Sequence, residues 1–448
     1  MKKISAIIAS LILSVAVLFS GCISLSGVDG KDGKDGKDAS IYQIYEAVNE
    51  ERVKEGLEEL TFLEFAEQYL SYDGDALAEA DSLQASINRS LKTGVSIAAS
   101  FTVQTPVYNV FGQVTGTKTE RETYFGAGVI IDIDKEAGNA YVVTNCHVIY
   151  NDAAVKPIAE NVYLFLYGQD ENYDVASCGI TAKVIGASQS YDIALLKVED
   201  SLILRDSAAE AAEFTTADDV YMGETVYAVG NPQGYGMSAT QGIISKESET
   251  ILIKLSSSQA SQNVKKYRVI RTDAAINSGN SGGGLFDKTG KLVGIVNSKS
   301  SNTNVDNLGF ALPASNVRRL VRLMLDNYNQ NGFNGENGVS RAYLKAEYAA
   351  QPKLSKWNEE TYRYEIYESV KITEAGDGLE ADDAIRNIKV LNDNGEVVEN
   401  KEVTRIYHVD DVLLSVRPNY TVVITVSRGG EQKDINIKTG SDYFVTVD

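Results

Sequence analysis

Asn277-Ser278-Gly279-Asn280-Ser281-Gly282-Gly283-Gly284-Leu285 is the stretch on which the reading of this 448-residue chain turns. Glycines flank Ser281 on both sides, so the backbone can make a concave loop and another chain can approach closely. A serine hydroxyl is a poor nucleophile at neutral pH unless an adjacent base takes its proton, and histidine has a suitable pKa. The histidine in turn needs a buried carboxylate to fix its tautomer and stabilise the imidazolium. Backbone N–H groups must already be aimed at the oxyanion that forms. Two upstream segments hold the missing parts: Tyr141-Val142-Val143-Thr144-Asn145-Cys146-His147-Val148 and Tyr191-Asp192-Ile193-Ala194-Leu195-Leu196-Lys197-Val198. His147 and Asp192 each sit at the end of, or inside, an apolar run, which predicts that rigid strands carry both. Taken singly, each of the three residues reads as an ordinary strand or turn residue; only together do they point to chemistry.

The surroundings agree with strands. From about 92 to 314 the chain alternates short apolar runs with polar loops, as at 140–148, 162–166, 193–198 and 291–296. Many short strands in one stretch predict an all-β barrel or sandwich. Ser315 is expected to cap an amphipathic helix carrying Val317, Leu320, Val321 and Met324. Residues 327–338 are rich in Asn and Gly and read as a linker. The remainder is a smaller mixed domain that ends in a hairpin, with Arg428-Gly429-Gly430-Glu431 between two apolar strands.

Composition narrows the function classes. The net charge is −20, from 42 basic and 62 acidic side chains. Nucleic-acid binding needs a basic footprint, and none is visible. Two histidines make a multi-histidine metal site untenable, and three cysteines exclude a disulfide scaffold or a four-cysteine zinc site. No metal or organic cofactor is implied.

The N-terminus has the parts of a secretory signal: Lys2 and Lys3, an apolar stretch from Ile4 to Phe19, then Ser20-Gly21-Cys22. It resembles a bacterial lipoprotein signal, in which the cysteine becomes the lipid-bearing N-terminus. Phe19 stands where that pattern prefers Leu, Val or Ile, and a plain secretory signal is the other reading. Gly27-Val28-Asp29, Gly30-Lys31-Asp32, Gly33-Lys34-Asp35 and Gly36-Lys37-Asp38 follow. Four proline-free triplets cannot hold a collagen helix, so they read as a flexible charged tether. Residues 40 to about 90 read helical, with capping boxes at Ser40/Gln43 and Thr61/Glu64.

The order His147, Asp192, Ser281, with the strings around them, resembles the trypsin-like serine proteases of the HtrA (DegP-like) group. Gly126-Ala127-Gly128-Val129-Ile130 is similar to that family's first strand, and Gly230-Asn231-Pro232 to its loop before the serine. Thr272-Asp273-Ala274 and Leu308-Gly309-Phe310-Ala311-Leu312-Pro313 are similar to its pocket segments. The resemblance implies a mainly β fold: a chymotrypsin-like double β-barrel followed by a small α+β PDZ-like domain. It makes Ser281 the nucleophile, His147 the general base then acid, and Asp192 the orienting carboxylate. The N–H groups of Gly279 and Ser281 form the oxyanion hole, and Ala275 and Ile276 lie at the base of the specificity pocket, with Asp273 nearby. Ser278 and Gly284 depart from the family's usual residues and loosen the loop. Asn280 cannot make the salt bridge of a zymogen's new N-terminus. Cys146 and Cys178 are a candidate pair in an extracytoplasmic setting.

The expected organisation is a signal peptide over 1–21, a tether over 22–39, a helical segment over 40–91, a protease domain over 92–327, a linker over 328–340 and a PDZ-like domain over 341–448. The PDZ resemblance rests on Val370-Lys371-Ile372-Thr373-Glu374, on 378–385 and on 422–429. The expected function is that of a serine endopeptidase, lipid-anchored through Cys22 on the extracytoplasmic face of the membrane. It would cleave unfolded or misfolded proteins and assemble as a homotrimer, as the family often does. The rival is a surface-tethered binding protein with an inactive protease fold.

Overall fold

A computed structural model describes residues 48–50, 52–54, 56–57, 59–60, 74–169, 179–215, 220–234, 236–254, 264–299, 307–333, 335, 338–352 and 354–447. The signal, the tether, Cys22, Cys178 and both predicted capping boxes lie outside the described residues. The chain divides into two compact units, 1–77 and 78–448. In the first, short helical turns at 48–50 and 52–54 are followed by a clasp in which Asn49 Nδ2 donates to Leu60 O at 2.8 Å and Leu60 N donates to Asn49 Oδ1 at 2.9 Å. Helix α1, Gly74–Thr93, leads into the strands. Among the described residues no helix is long and apolar enough to cross a membrane.

Two closed six-stranded barrels follow, so the mainly β, chymotrypsin-like double barrel expected above is the fold. The first contains β1 (Gly94–Tyr108), β2 (Val114–Asp134), β3 (Asn139–Thr144), β4 (Asn161–Leu166), β5 (Ile180–Ser188) and β6 (Ile193–Val198), in the order β1-β2-β3-β6-β5-β4. The second contains β7 (Thr225–Gly230), β8 (Ser238–Lys254), β9 (Val264–Thr272), β10 (Gly284–Asp287), β11 (Leu292–Lys299) and β12 (Gly309–Pro313), in the order β10-β11-β12-β9-β8-β7. The apolar runs become strands because β-branched and aromatic side chains fit a pleated, buried surface. Ile97, Phe101, Ile130, Val142, Leu164 and Leu196 fill the first barrel. Tyr227, Phe286, Leu292 and Ile295 fill part of the second. Each such side chain contributes about 1.5–3 kcal/mol by leaving water.

Three local expectations need correction. The run 140–148 is not one strand: β3 stops at Thr144, and Cys146–Ile149 forms a helical turn, α2. His147 therefore sits on a turn, not a strand. Gly126 to Ile130 belongs to the second strand of the fold. Ser315 does not cap its helix. Strand β12 runs straight into helix α4, Ala314–Asn331, with Pro313 at the cap position, so Ser315 falls inside the first turn and is buried. Among the described residues α4 is the next α-helix after the short turn α3, Leu202–Arg205. Its Val317, Leu320, Val321 and Met324 face the core at helical spacing. It runs four residues past the expected domain end and stops at Gly332, whose φ is +70°.

Beyond it, the strands Glu347–Ala350, Val370–Glu374, Ala384–Leu391, Thr421–Arg428 and Glu431–Lys438 form one sheet in that order. Helix α5, Ile406–Leu413, buries Val409 and Val412 in the same core as Ile388 and Ile424. The predicted terminal hairpin is the pair Thr421–Arg428 and Glu431–Lys438, turning at Gly429-Gly430, both at positive φ. His408, on α5, is buried in this body. Ion pairs join it to the second barrel and α4: Arg268 with Asp411 at 2.7 Å, Arg405 with Glu247 at 3.5 Å, and Arg319 with Glu399 at 2.5 Å.

Candidate active site

The two barrels meet where the expected triad lies. Asp192 directly precedes β6 and is 1% exposed. Its φ is +48°, a region that Asp enters more readily than most residues. The conformation is held from both sides: Asp192 N donates to Gln189 O at 3.2 Å, and Asn145 Nδ2 donates to Asp192 O at 2.9 Å. A buried carboxylate costs several kcal/mol unless it is paired, and this one is paired three times. Oδ1 accepts from the backbone N–H of His147 at 2.9 Å. Oδ2 lies 2.7 Å from His147 Nδ1 and accepts from Asn297 Nδ2 at 2.5 Å.

The bond to Nδ1 makes that nitrogen the protonated one and leaves Nε2 free to act as a base. The imidazole is 37% exposed. Burial pushes its pKa down, while the charge of Asp192 and the hydrogen bond to it push it up by more. His147 therefore titrates above the ordinary histidine value of 6.5. Cys146 beside it points into the first-barrel core, and burial and the Asp192 charge push its thiol well up. That suits an inert packing residue rather than a nucleophile.

Ser281 lies in the same cleft as His147, together with Thr123, Tyr124, Phe125, Val148, Ser278 and Gly279. In this structure its hydroxyl donates to Asn297 O at 2.8 Å. A turn about its Cα–Cβ bond is needed to direct that proton to His147. Gly279 has φ +98°, and Gly282 has φ +86°. A Cβ at Gly282 would stand 2.1 Å from Ala127 O and 2.2 Å from Thr144 Oγ1, so the loop can press against the first barrel only with glycine there. Ala127 N donates to Ser281 O at 2.8 Å and pins the two barrels together at the serine. Among the described residues the N–H groups of Gly279 and Ser281 have no backbone acceptor. No cluster of metal-ligating side chains occurs among the described residues.

Ala275 and Ile276 are not among the residues that line this cleft. Ala275 is exposed, and its carbonyl accepts from Thr240 Oγ1 at 3.0 Å and from Asn280 Nδ2 at 3.4 Å. Ile276 is buried in the second barrel against β12, where a Cβ on Gly309 would come within 2.5 Å of it. Asp273 is occupied: its Oδ1 accepts from Ile243 N at 2.6 Å.

The reading of the sequence missed Asn297 and Tyr267. Asn297 is fully buried at the end of an apolar run of β11, and its Oδ1 accepts from the Tyr267 hydroxyl at 3.1 Å. A polar residue closing an apolar run is the same signal that singled out His147 and Asp192.

Comparisons with known proteins bear on the family. Residues 126–295 match the trypsin-like peptidase domain family. Serine protease Do-like HtrA of Bacillus subtilis (strain 168) is 30% identical over 345 residues, which cover 74% of this chain and 67% of that protein. The protein of the same description from Lactobacillus helveticus is 30% identical over 345 residues, covering 74% of each. A solved structure of the HtrA-type protease AlgW with a decapeptide superposes with a TM-score of 0.47 at 21% identity, covering 80% of this chain and 98% of that one. This chain thus belongs to the HtrA serine proteases and is a serine endopeptidase.

Proposed function

We propose that Ser281, His147 and Asp192 carry out the peptidase reaction through an acyl-enzyme, and that the substrates are unfolded or misfolded proteins outside the cytoplasm. The observation that carries the reading is the buried Asp192 carboxylate, bonded to His147 Nδ1 in the cleft that also holds Ser281. Ser281 Oγ attacks the scissile carbonyl and its proton passes to His147 Nε2. The oxyanion faces the N–H groups of Gly279 and Ser281. His147 then protonates the leaving amine, and water, deprotonated by the same imidazole, releases the acyl group. Cys22 carries the lipid that anchors the mature protein, with 22–39 as its tether. The C-terminal body is a PDZ-like module, a spacer or regulator of the protease; its edge strand Glu347–Ala350 is tied to α5 by Tyr348 donating to Asp410 at 2.7 Å. A homotrimer is the assembly the family suggests.

The test is hydrolysis of casein together with labelling by a fluorophosphonate. Wild type is expected to do both. Ser281→Ala should lose the label and on the order of 10⁶-fold in turnover while staying folded. Unchanged turnover in folded Ser281→Ala would remove the triad assignment. An unlabelled, inactive wild type would favour a binding protein on a silent protease fold.

A further inference from the structure

Strands β1 and β2 do not end at the barrel wall. Pairing continues from Gly94↔Val129 to Tyr108↔Val114, and from 104 to 125 every residue except Asn109 is exposed. The barrel therefore carries a two-stranded arm with two outer edges. Alternation along a strand fixes which backbone groups face outward. Ala127 N bonds outward, to Ser281 O. The pairing of β1 with β2 keeps its register from Gly94 to Val107. The groups of Phe125, Thr123, Arg121 and Thr119 therefore face the same open side. On β1 the outward positions are the even ones, as Ser100 O and Thr102 O confirm by accepting from Glu160 N and Val155 N.

The two edges are treated differently. The outer edge of β1 is covered by β4 as far as Ser100, then by the 154–160 segment, and is closed at Pro106, which has no N–H to offer. The outer edge of β2 has no proline, and among the described residues no strand pairs with it from Thr119 to Phe125. Long bare edges are normally blocked, because they invite another strand. This one begins inside the cleft, since Thr123, Tyr124 and Phe125 line it with His147 and Ser281.

We propose that the outer edge of β2 is an extended substrate-binding edge. One flank of the substrate leaves the cleft as an added strand, hydrogen-bonded to the main chain of Phe125, Thr123, Arg121 and Thr119. The proposal rests on the catalytic reading of the cleft. Main-chain pairing recognises an extended polypeptide of nearly any sequence, and a folded substrate cannot present such a strand. Thr119, Arg121 and Thr123 add no apolar pocket along this edge, so length and extendedness, rather than side-chain identity, govern the added affinity.

The experiment measures kcat/KM on fluorogenic peptides lengthened residue by residue on either side of the scissile bond. Lengthening on one side only is expected to raise kcat/KM over about six residues, by roughly three- to tenfold for each added backbone bond. A walk of N-methyl groups along that flank, read with the wild-type protein, should lower cleavage at every second amide and spare those between. Arg121→Pro removes an outward N–H while leaving the β1–β2 ladder intact. It should lower kcat/KM on the long peptides by the same three- to tenfold and leave the shortest cleaved peptide unchanged. No gain with length, gains on both sides, or an N-methyl effect without alternation would each overturn the proposal. So would a dimer that Arg121→Pro dissolves while long-peptide kinetics stay the same, since the edge would then belong to a second copy. A wild type that cleaves no peptide at all would refute the catalytic reading itself.

Discussion

Asn297→Ala should lower kcat by about 10- to 150-fold and leave KM nearly unchanged. The Asp192 carboxylate is 1% exposed and accepts three N–H groups, of which Asn297 Nδ2 at 2.5 Å is one. A hydrogen bond to a buried charge is worth about 1.5–3 kcal/mol. Each ~1.36 kcal/mol of lost transition-state stabilisation is tenfold in rate, which gives the range if the whole loss falls on the barrier. Water cannot readily replace the missing donor, because the site is enclosed. The pH profile separates positioning from mere packing. With one donor gone, the carboxylate charge is balanced more by the imidazolium, so the His147 pKa rises and the acid limb of kcat/KM moves to higher pH. The same change strands the Tyr267 hydroxyl, which donates to Asn297 Oδ1 at 3.1 Å, and should cost about 1–3 kcal/mol of stability. Tyr267→Phe is the companion variant: it leaves the bond to Asp192 in place and should keep the acid limb where it is. The assay is hydrolysis of a fluorogenic peptide from pH 5 to 9, with thermal unfolding of each protein. A folded Asn297→Ala with wild-type kcat and an unmoved acid limb would refute the reasoning.

Other outcomes follow from the same geometry. Because His147 titrates above 6.5 and must be neutral to accept the Ser281 proton, activity should rise with pH through a midpoint above that value, in a kcat/KM profile. The raised pKa also means that the His147–Asp192 pair adds most stability below about pH 6.5 and loses it as pH rises through the His147 pKa, an effect visible in Tm against pH. Cys22→Ser should release the protein from the membrane fraction, and failure of the wild type to incorporate radiolabelled palmitate would show the signal to be an ordinary one. A peptide library tests the pocket that the family resemblance places at Ala275 and Ile276, residues absent from the cleft lining: cutting mainly after Val, Ala, Ile or Leu, with soft selectivity because one methylene is worth only ~1–3 kcal/mol, would put them at its base. Dominant cleavage after Lys or Arg would instead implicate Asp273.

Much of the architecture was legible because the barrels are written as short apolar runs: 162–166 and 193–198 became β4 and β6. What escaped were features set by long-range contact. The run 140–148 carries the polar Thr144 and Asn145 in its middle, and the chain turns there, with the Asn145 side chain reaching Asp192 O across the sequence. The role of Ser315 depended on β12 meeting α4 without a loop. Asn297 closes an apolar run, but its partner Asp192 lies 105 residues away, and a bulge in β11, where the register shifts between Val296 and Ser298, sets its place. The arm of β1 and β2 was equally hidden, since 114–125 is polar and reads as loop until its partner strand is known.

His147 and Asp192 belong to one barrel, and Ser281 and Asn297 to the other. The bonds from Asn297 to Asp192 and from Ala127 to Ser281 cross the seam between them. Neither half of the protease can therefore be an enzyme alone, and the chemistry depends on how the halves are aligned as much as on what each contains. A shear of about one ångström along the seam would leave both hydrophobic cores intact and still separate the groups that must exchange a proton, at a cost of order a hundredfold in rate. Activity is thus a gauge of alignment far finer than any measure of folding, and heat should silence the molecule before either barrel melts.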